Sequence, residues 1–248
     1  MTESGFSFMS LPERPASYAA TLGPTLIIIP HPDDESLGCG GLLALLRQAG
    51  EPVHTVLVSD GTMSHPNSRK FPAAARQALR EAELREALAI LGVATSDTLL
   101  MRLPDGAVPT TARAGFAEAV GRLRAHLEQT KPATLLVPWR RDPHPDHRAT
   151  SQIAAAALRT LAVPPRVLEY VVWAWERAAP DDLPRPEEAQ GWRLNIESVL
   201  ARKQQAIAAH RSQLTNLIDD DPTGFQLSDH MLAHFAQPFE VYFDSWPA

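Results

Sequence analysis

The stretch "IIIPHPDDESLGCGG", residues 27–41, decides how the chain is read. An apolar run stops abruptly, and His31, Asp33, Asp34 and Glu35 follow within five positions. Short, solidly apolar runs such as "TLIIIP" (25–30) suit a parallel strand buried on both faces. Past the acids, "GGLLALLRQAG" (40–50) reads as a helix closed by Gly50. Pro30 and Pro32 stiffen the junction and favour extended backbone before each of them. The unit is strand, polar loop, helix.

The same alternation continues along the chain. Residues 1–22 are expected to form an irregular arm. "VHTVLVS" (53–59) reads as a strand, and 73–92 as an amphipathic helix with Leu84, Ala87, Leu88 and Leu91 on its core stripe, stopped by Gly92. A strand at 97–103, a helix over about 111–129 and a strand at 133–139 follow. An Ala-rich helix at 147–162 and a strand at 166–175 come next. Residues 176–191 are expected to form a Pro-rich, acidic surface loop. A short strand near "RLNI" leads into a helix over about 197–214, and "FEVYF" (239–243) is expected as a last edge strand. The pattern predicts a single domain over 1–248, with an α/β, Rossmann-like, doubly wound, mostly parallel sheet and helices on both faces.

In such sheets ligands bind beyond the carboxyl ends of the strands, where His31–Glu35 falls. Acids at a helix start are favoured by the macrodipole, which accounts for one or two of them but not for His31. A second cluster, "DPHPDH" (142–147), also follows an apolar strand and precedes a helix. His144, Asp146 and His147 again combine imidazole and carboxylate with a rigid proline. Two such loops at one sheet edge offer the ligand set of Zn²⁺ or Fe²⁺. Two histidines and a carboxylate leave positions open for water and substrate, the pattern of a catalytic ion.

Composition narrows the alternatives. The net charge of −6 over 248 residues gives no general footprint for nucleic acid or anionic membrane. Cys39 is the sole cysteine, so neither a disulfide framework nor a Cys-based zinc cluster is available. No run approaches a membrane span, and the N-terminal residues lack a signal-peptide pattern. The expected setting is cytoplasmic. "GCGG" (38–41) is not a dinucleotide fingerprint, because Leu43 stands where its last Gly belongs.

"PHPDDE" followed by a distant "HPDH" resembles the LmbE-like or PIG-L family, zinc-dependent deacetylases of N-acetylglucosaminyl conjugates. "SDGT" (59–62), "REAELREALAILG" (80–92), "LPDG" (103–106) and "KQQAIAAHRSQ" (203–213) carry the likeness along the chain. The resemblance implies that His31, Asp34 and His147 bind the metal, Zn²⁺ with Fe²⁺ as the alternative. It implies Asp33 as the general base on the attacking water. It implies His144 as oxyanion stabiliser or proton donor, and Asp146 as its orienting partner. The implied partner is a small-molecule amino-sugar conjugate, with no nucleic acid and no membrane insertion; oligomeric state and aglycone have no sequence signal.

Several residues keep two readings. Arg80 and Glu83 interrupt a helix stripe, either as a snorkelling surface pair or as a pair aimed into the site; the resemblance favours Arg80 on substrate. Asp105 in "LPDG" is a turn former or a substrate contact. Arg140 is a candidate for an acidic or phosphorylated conjugate, or it balances nearby acids. Lys203 and His210 are expected in buried structural pairs. "SHPNSRKFP" (64–72) is a candidate mobile lip, and Trp139 a candidate site wall. Competing activities are an O-acetyl esterase, another amidase, an Fe²⁺ oxygenase and a non-catalytic sugar-binding module.

Overall fold

A computed structural model describes residues 6–96, 98–185, 188 and 190–244. The start of the expected arm, position 97 and positions 186, 187 and 189 of the Pro-rich loop lie outside the described residues. The strands are β1 (Glu13–Arg14), β2 (Thr25–Ile29), β3 (Val53–Ser59), β4 (Leu99–Leu103), β5 (Thr134–Pro138), β6 (Arg166–Tyr170), β7 (Gln190–Asn195) and β8 (Phe239–Asp244). The helices are α1 (Asp34–Gln48), α2 (Ala73–Leu91), α3 (Phe116–Thr130), α4 (Pro145–Leu158), α5 (Leu200–Ala209), α6 (Arg211–Leu214) and α7 (Asp229–Phe235).

Every residue of β2 is buried. Ile27 and Ile29 pack with Leu42 of α1, Leu84 of α2 and Ile207 of α5 on one face. Leu26 and Ile28 pack with Leu123 of α3 and Ile153 of α4 on the other. That two-sided burial is why the run is apolar at every position instead of at alternate ones. The strands form one sheet in the order β1-β7-β8-β6-β5-β2-β3-β4. The chain runs from β2 out to β3 and β4, then returns to β5 on the opposite side of β2. The order therefore reverses between β2 and β5, and a crevice opens beyond their carboxyl ends. The two polar clusters are the loops at that crevice.

Several expectations change. α1 begins at Asp34, so Gly38 and Gly41 lie inside it. A methyl group on Gly38 would stand 2.5 Å from the Tyr170 ring, and one on Gly41 2.6 Å from Ile196, so glycine lets this helix press against its neighbours. The Gly41 and Leu42 amides donate to the Glu240 carboxylate at 2.7 and 2.8 Å, and Lys203 Nζ joins it at 2.8 Å. This is the buried pair expected for Lys203.

β8, expected at an edge, lies inside the sheet, antiparallel to both β6 and β7. Its first five residues are buried, which an edge strand would not require. The expected arm instead reaches the edge, with β1 parallel to β7 and 3₁₀ turns at Phe8–Ser10 and Ala16–Leu22. The strand expected through 175 ends at Tyr170, and Trp173–Trp175 form a 3₁₀ turn. The expected 197–214 helix breaks at His210, where Glu35 takes the ring and Glu83 takes the Ser212 amide.

The 64–72 segment is tied down. Ser68 Oγ and the Arg69 and Lys70 amides donate to Asp220, and the Asn67 amide donates to Asp221. Among the described residues, no helix is long and apolar enough to cross a membrane.

Candidate metal centre

Pro32 delivers the chain into Asp33 with φ +133° and ψ −29°. A non-glycine residue there carries strain of about 1–3 kcal/mol, sustained only where neighbours over-determine it. The neighbours are present. The Asp33 amide donates to Glu35 Oε2 at 3.1 Å, and its carbonyl accepts from Ser36 and Leu37. Arg80 donates to Pro32 O at 2.7 Å and to Asp33 Oδ2 at 3.2 Å. His210 clamps Glu35 from behind at 2.8 Å.

The twist sends Asp33 and Asp34 different ways. Asp34 Oδ2 lies 3.4 Å from His31 Nδ1 and 3.1 Å from His147 Nε2. His31, His144 and His147 each offer a ring nitrogen within 4.8 Å of the others'. The opposite nitrogen of His31, Nε2, lies 3.2 Å from Asp105 Oδ1 and 3.2 Å from Asp146 Oδ2, which makes a second candidate ligand group.

Hydrogen bonding separates the two groups. Asp105 already accepts the Met63 amide, and Asp146 the Gly106 and Val108 amides. A ligating His commonly donates its far N–H to such a carboxylate. On the near side, both ring nitrogens of His147 are buried with no hydrogen-bond partner. Asp34 Oδ2, which also accepts the His31 amide at 2.9 Å, lies between the two imidazoles, and the donor set of His31, Asp34 and His147 suits a divalent cation.

Charge agrees with this division. Burial alone would raise the Asp34 carboxyl, but His147 and His31 hold it far below the usual range. Burial lowers the His147 imidazole, yet Asp34 and Asp142 bring it up to about 9. No imidazole is hydrogen-bonded to Asp33, and His210 and His31 act on it only at a distance. Burial pushes its carboxyl up to about 7, with Arg80 pulling the other way. Burial and the two neighbouring imidazoles lower His144 to about 4.

Asp146 does not orient His144 through its carboxylate, which is committed to His31. Its backbone amide does so, donating to His144 Nδ1 at 3.2 Å. Sequence reasoning passed over Asp142, which accepts the His144 amide and the Trp173 amide and stands 3.5 Å from His147 Nδ1. Its place as first residue of "DPHPDH" was the available signal. Arg80 and Asp105 both line the cavity over the centre, about 210 Å³, with Trp173, Arg177, Gln213 and Phe225. A larger cavity of about 640 Å³, near Lys131 and Val163, holds neither polar cluster.

Arg140 does not reach that cavity. Its amide donates to Glu169 Oε1 at 3.0 Å, and its guanidinium lies over Trp139 and 3.7 Å from Glu169 Oε2. Trp139, expected as a wall, is fully buried against Phe243; Trp173 takes the wall position. Burial pushes the Glu169 carboxyl from 4.5 up to about 7 despite Arg140. A carboxyl raised in the fold keeps its proton longer there than in the unfolded chain, so its contribution to stability is lost as pH climbs from 4.5 to about 7. Glu169→Gln removes that dependence. Urea unfolding at about pH 5 and about pH 8 should shift the variant-minus-wild-type difference toward the variant by up to ~3 kcal/mol. A difference that stays flat would mean Glu169 is ionised throughout.

Known proteins resemble this chain in sequence or in fold. A 1D-myo-inositol 2-acetamido-2-deoxy-alpha-D-glucopyranoside deacetylase of Actinosynnema mirum is 29% identical, over 79% of this chain and 82% of that protein. The N,N'-diacetylchitobiose deacetylase of Pyrococcus horikoshii superposes with a TM-score of 0.64 at 23% identity, over 79% of this chain and 72% of the other. GalB, the 4-carboxy-2-hydroxymuconate hydratase of Pseudomonas putida, superposes at 0.65 with 19% identity, over 91% and 97%. The last two likenesses concern the fold alone, which hosts more than one reaction. The sequence profile of PIG-L, GlcNAc-PI de-N-acetylase, covers residues 26–158, from β2 through α4. Both polar loops and the switch point between them fall inside that span, and the chain belongs to the PIG-L family.

Proposed function

We propose that this protein is a zinc-dependent hydrolase that removes the acetyl group from an N-acetylglucosaminyl-type conjugate. One observation carries the reading: Asp33 sits beside the converging donors of His31, Asp34 and His147 without being engaged by either imidazole. When bound, the cation polarises the acyl oxygen and acidifies water. The residues do the rest. Asp33 takes a proton from the attacking water. Arg80 fixes the Asp33 carboxylate and, with Asp105, lines the space for sugar hydroxyls. His144 Nδ1 accepts the Asp146 amide, so Nε2 carries the hydrogen and donates to the developing oxyanion. The protonated Asp33 then returns its proton to the departing amine.

The test is acetate release from a panel of N-acetylglucosaminyl compounds. Zinc-loaded protein should release acetate, chelated protein about 100-fold less or lower, and zinc should restore the rate. Faster release from matched O-acetyl esters would replace the amide reading with an esterase. Water addition to an alkene without acetate release would place the chain with the hydratase fold-mate.

A further inference from the structure

A second cluster of metal-ligating side chains lies outside the cavity. His230 and His234 stand four apart on α7, hence on one face of it. Glu176, just after the Trp173–Trp175 turn, faces both. Its Oε1 lies 2.6 Å from His230 Nδ1 and 3.7 Å from His234 Nε2. One ligand atom from each of the three lies within 4.8 Å of the others. None of the three lines the cavity over the first centre.

A surface ion pair would explain Glu176 and His230. It includes His234 only at 3.7 Å, too far for a hydrogen bond. The His234 ring stacks on Trp175 with centroids 5.3 Å apart, and its Nε2 is buried with no hydrogen-bond partner. That nitrogen points at the same carboxylate oxygen from beyond hydrogen-bond range. Two imidazoles and a carboxylate are a borderline ligand set suited to Zn²⁺ and its first-row neighbours. His230 is largely exposed, which leaves water to complete the shell. The geometry points to Glu176, His230 and His234 as a second transition-metal site, separate from the His31–His147 centre.

Occupancy has a structural consequence. Glu176 is bonded in sequence to Arg177, and Arg177 packs over Trp173, both of them cavity-lining. Phe225 and Leu227 line the same cavity and run directly into α7. An ion at this site fastens the 173–177 turn to α7 and braces that wall.

Titration of Zn²⁺ into protein that already carries its first ion tests the site. A further equivalent should bind, and His230→Ala or His234→Ala should weaken that event about tenfold or more, leaving the first untouched. The same titration in His147→Ala should give one event that His230→Ala weakens by the same factor, which keeps the result independent of the deacetylase reading. Hydrogen exchange at 173–177 and in α7 should slow as this equivalent binds. Wild-type protein that stops at its first ion, or a second event undiminished in both His variants, overturns the assignment.

Discussion

Asp33→Asn leaves the protein folded and its metal content unchanged, while acetate release falls by about 100-fold to 10,000-fold, the range a lost general base accounts for. The amide is nearly isosteric with the carboxylate. Its oxygen still accepts from Arg80, which also keeps Pro32 O and Gly61 O as acceptors. Asn has the same branching at Cβ and Cγ as Asp, so it adds no backbone strain to that already present at φ +133°. What Asn lacks is a site for the proton of the attacking water. The variant also removes a carboxyl that burial makes costly to ionise, so thermal stability should hold or rise. Metal analysis and acetate release on one preparation decide the matter. Turnover within a few-fold of wild type would remove Asp33 from its role.

His147→Ala should give the opposite pattern, with the ion and the activity lost together. His147 is fully buried on the first turn of α4, with Asp34 Oδ2 3.1 Å from its Nε2 and Asp142 Oδ1 3.5 Å from its Nδ1. Alanine leaves His31 and Asp34 as a two-donor remnant. It also leaves Asp34 and Asp142, both buried, without the imidazole between them. A binding ion stabilises a fold by about 2.7 kcal/mol when free ion stands at about 100 times Kd. Zinc should therefore raise the unfolding midpoint of wild type but not of this variant. The measurement belongs in a His230→Ala, His234→Ala background, so that the Glu176 cluster contributes no ion of its own. One zinc per chain retained there would refute the ligand assignment and turn attention to Asp105 and Asp146 beside His31.

How much of the fold and the site is legible in the sequence follows from where each signal resides. The β2 and β5 runs announce buried parallel strands because burial on both faces demands an apolar residue at each step. The imidazoles and acids at their ends are local strings, so the candidate donors can be read as two contiguous clusters, while the choice of ligands among them came from the family resemblance. Arg140 and Arg177 show the limit. Both are cations near the second half of the site, but the fold turns the first toward Glu169 and sets the second over Trp173. No local pattern distinguishes them.

By itself the sequence determined the alternating α/β architecture, the two polar loops and the chemistry of their side chains, since these depend on neighbours in the chain and short-range sterics. Tertiary structure alone decided that β8 is internal, that Asp146 serves His31 through its carboxylate, and that Glu35, His210 and Arg80 hold the Asp33 twist. Those outcomes rest on pairings between residues far apart in the chain. Strand order and helix docking choose such partners, and both are set by burying the whole apolar surface at once.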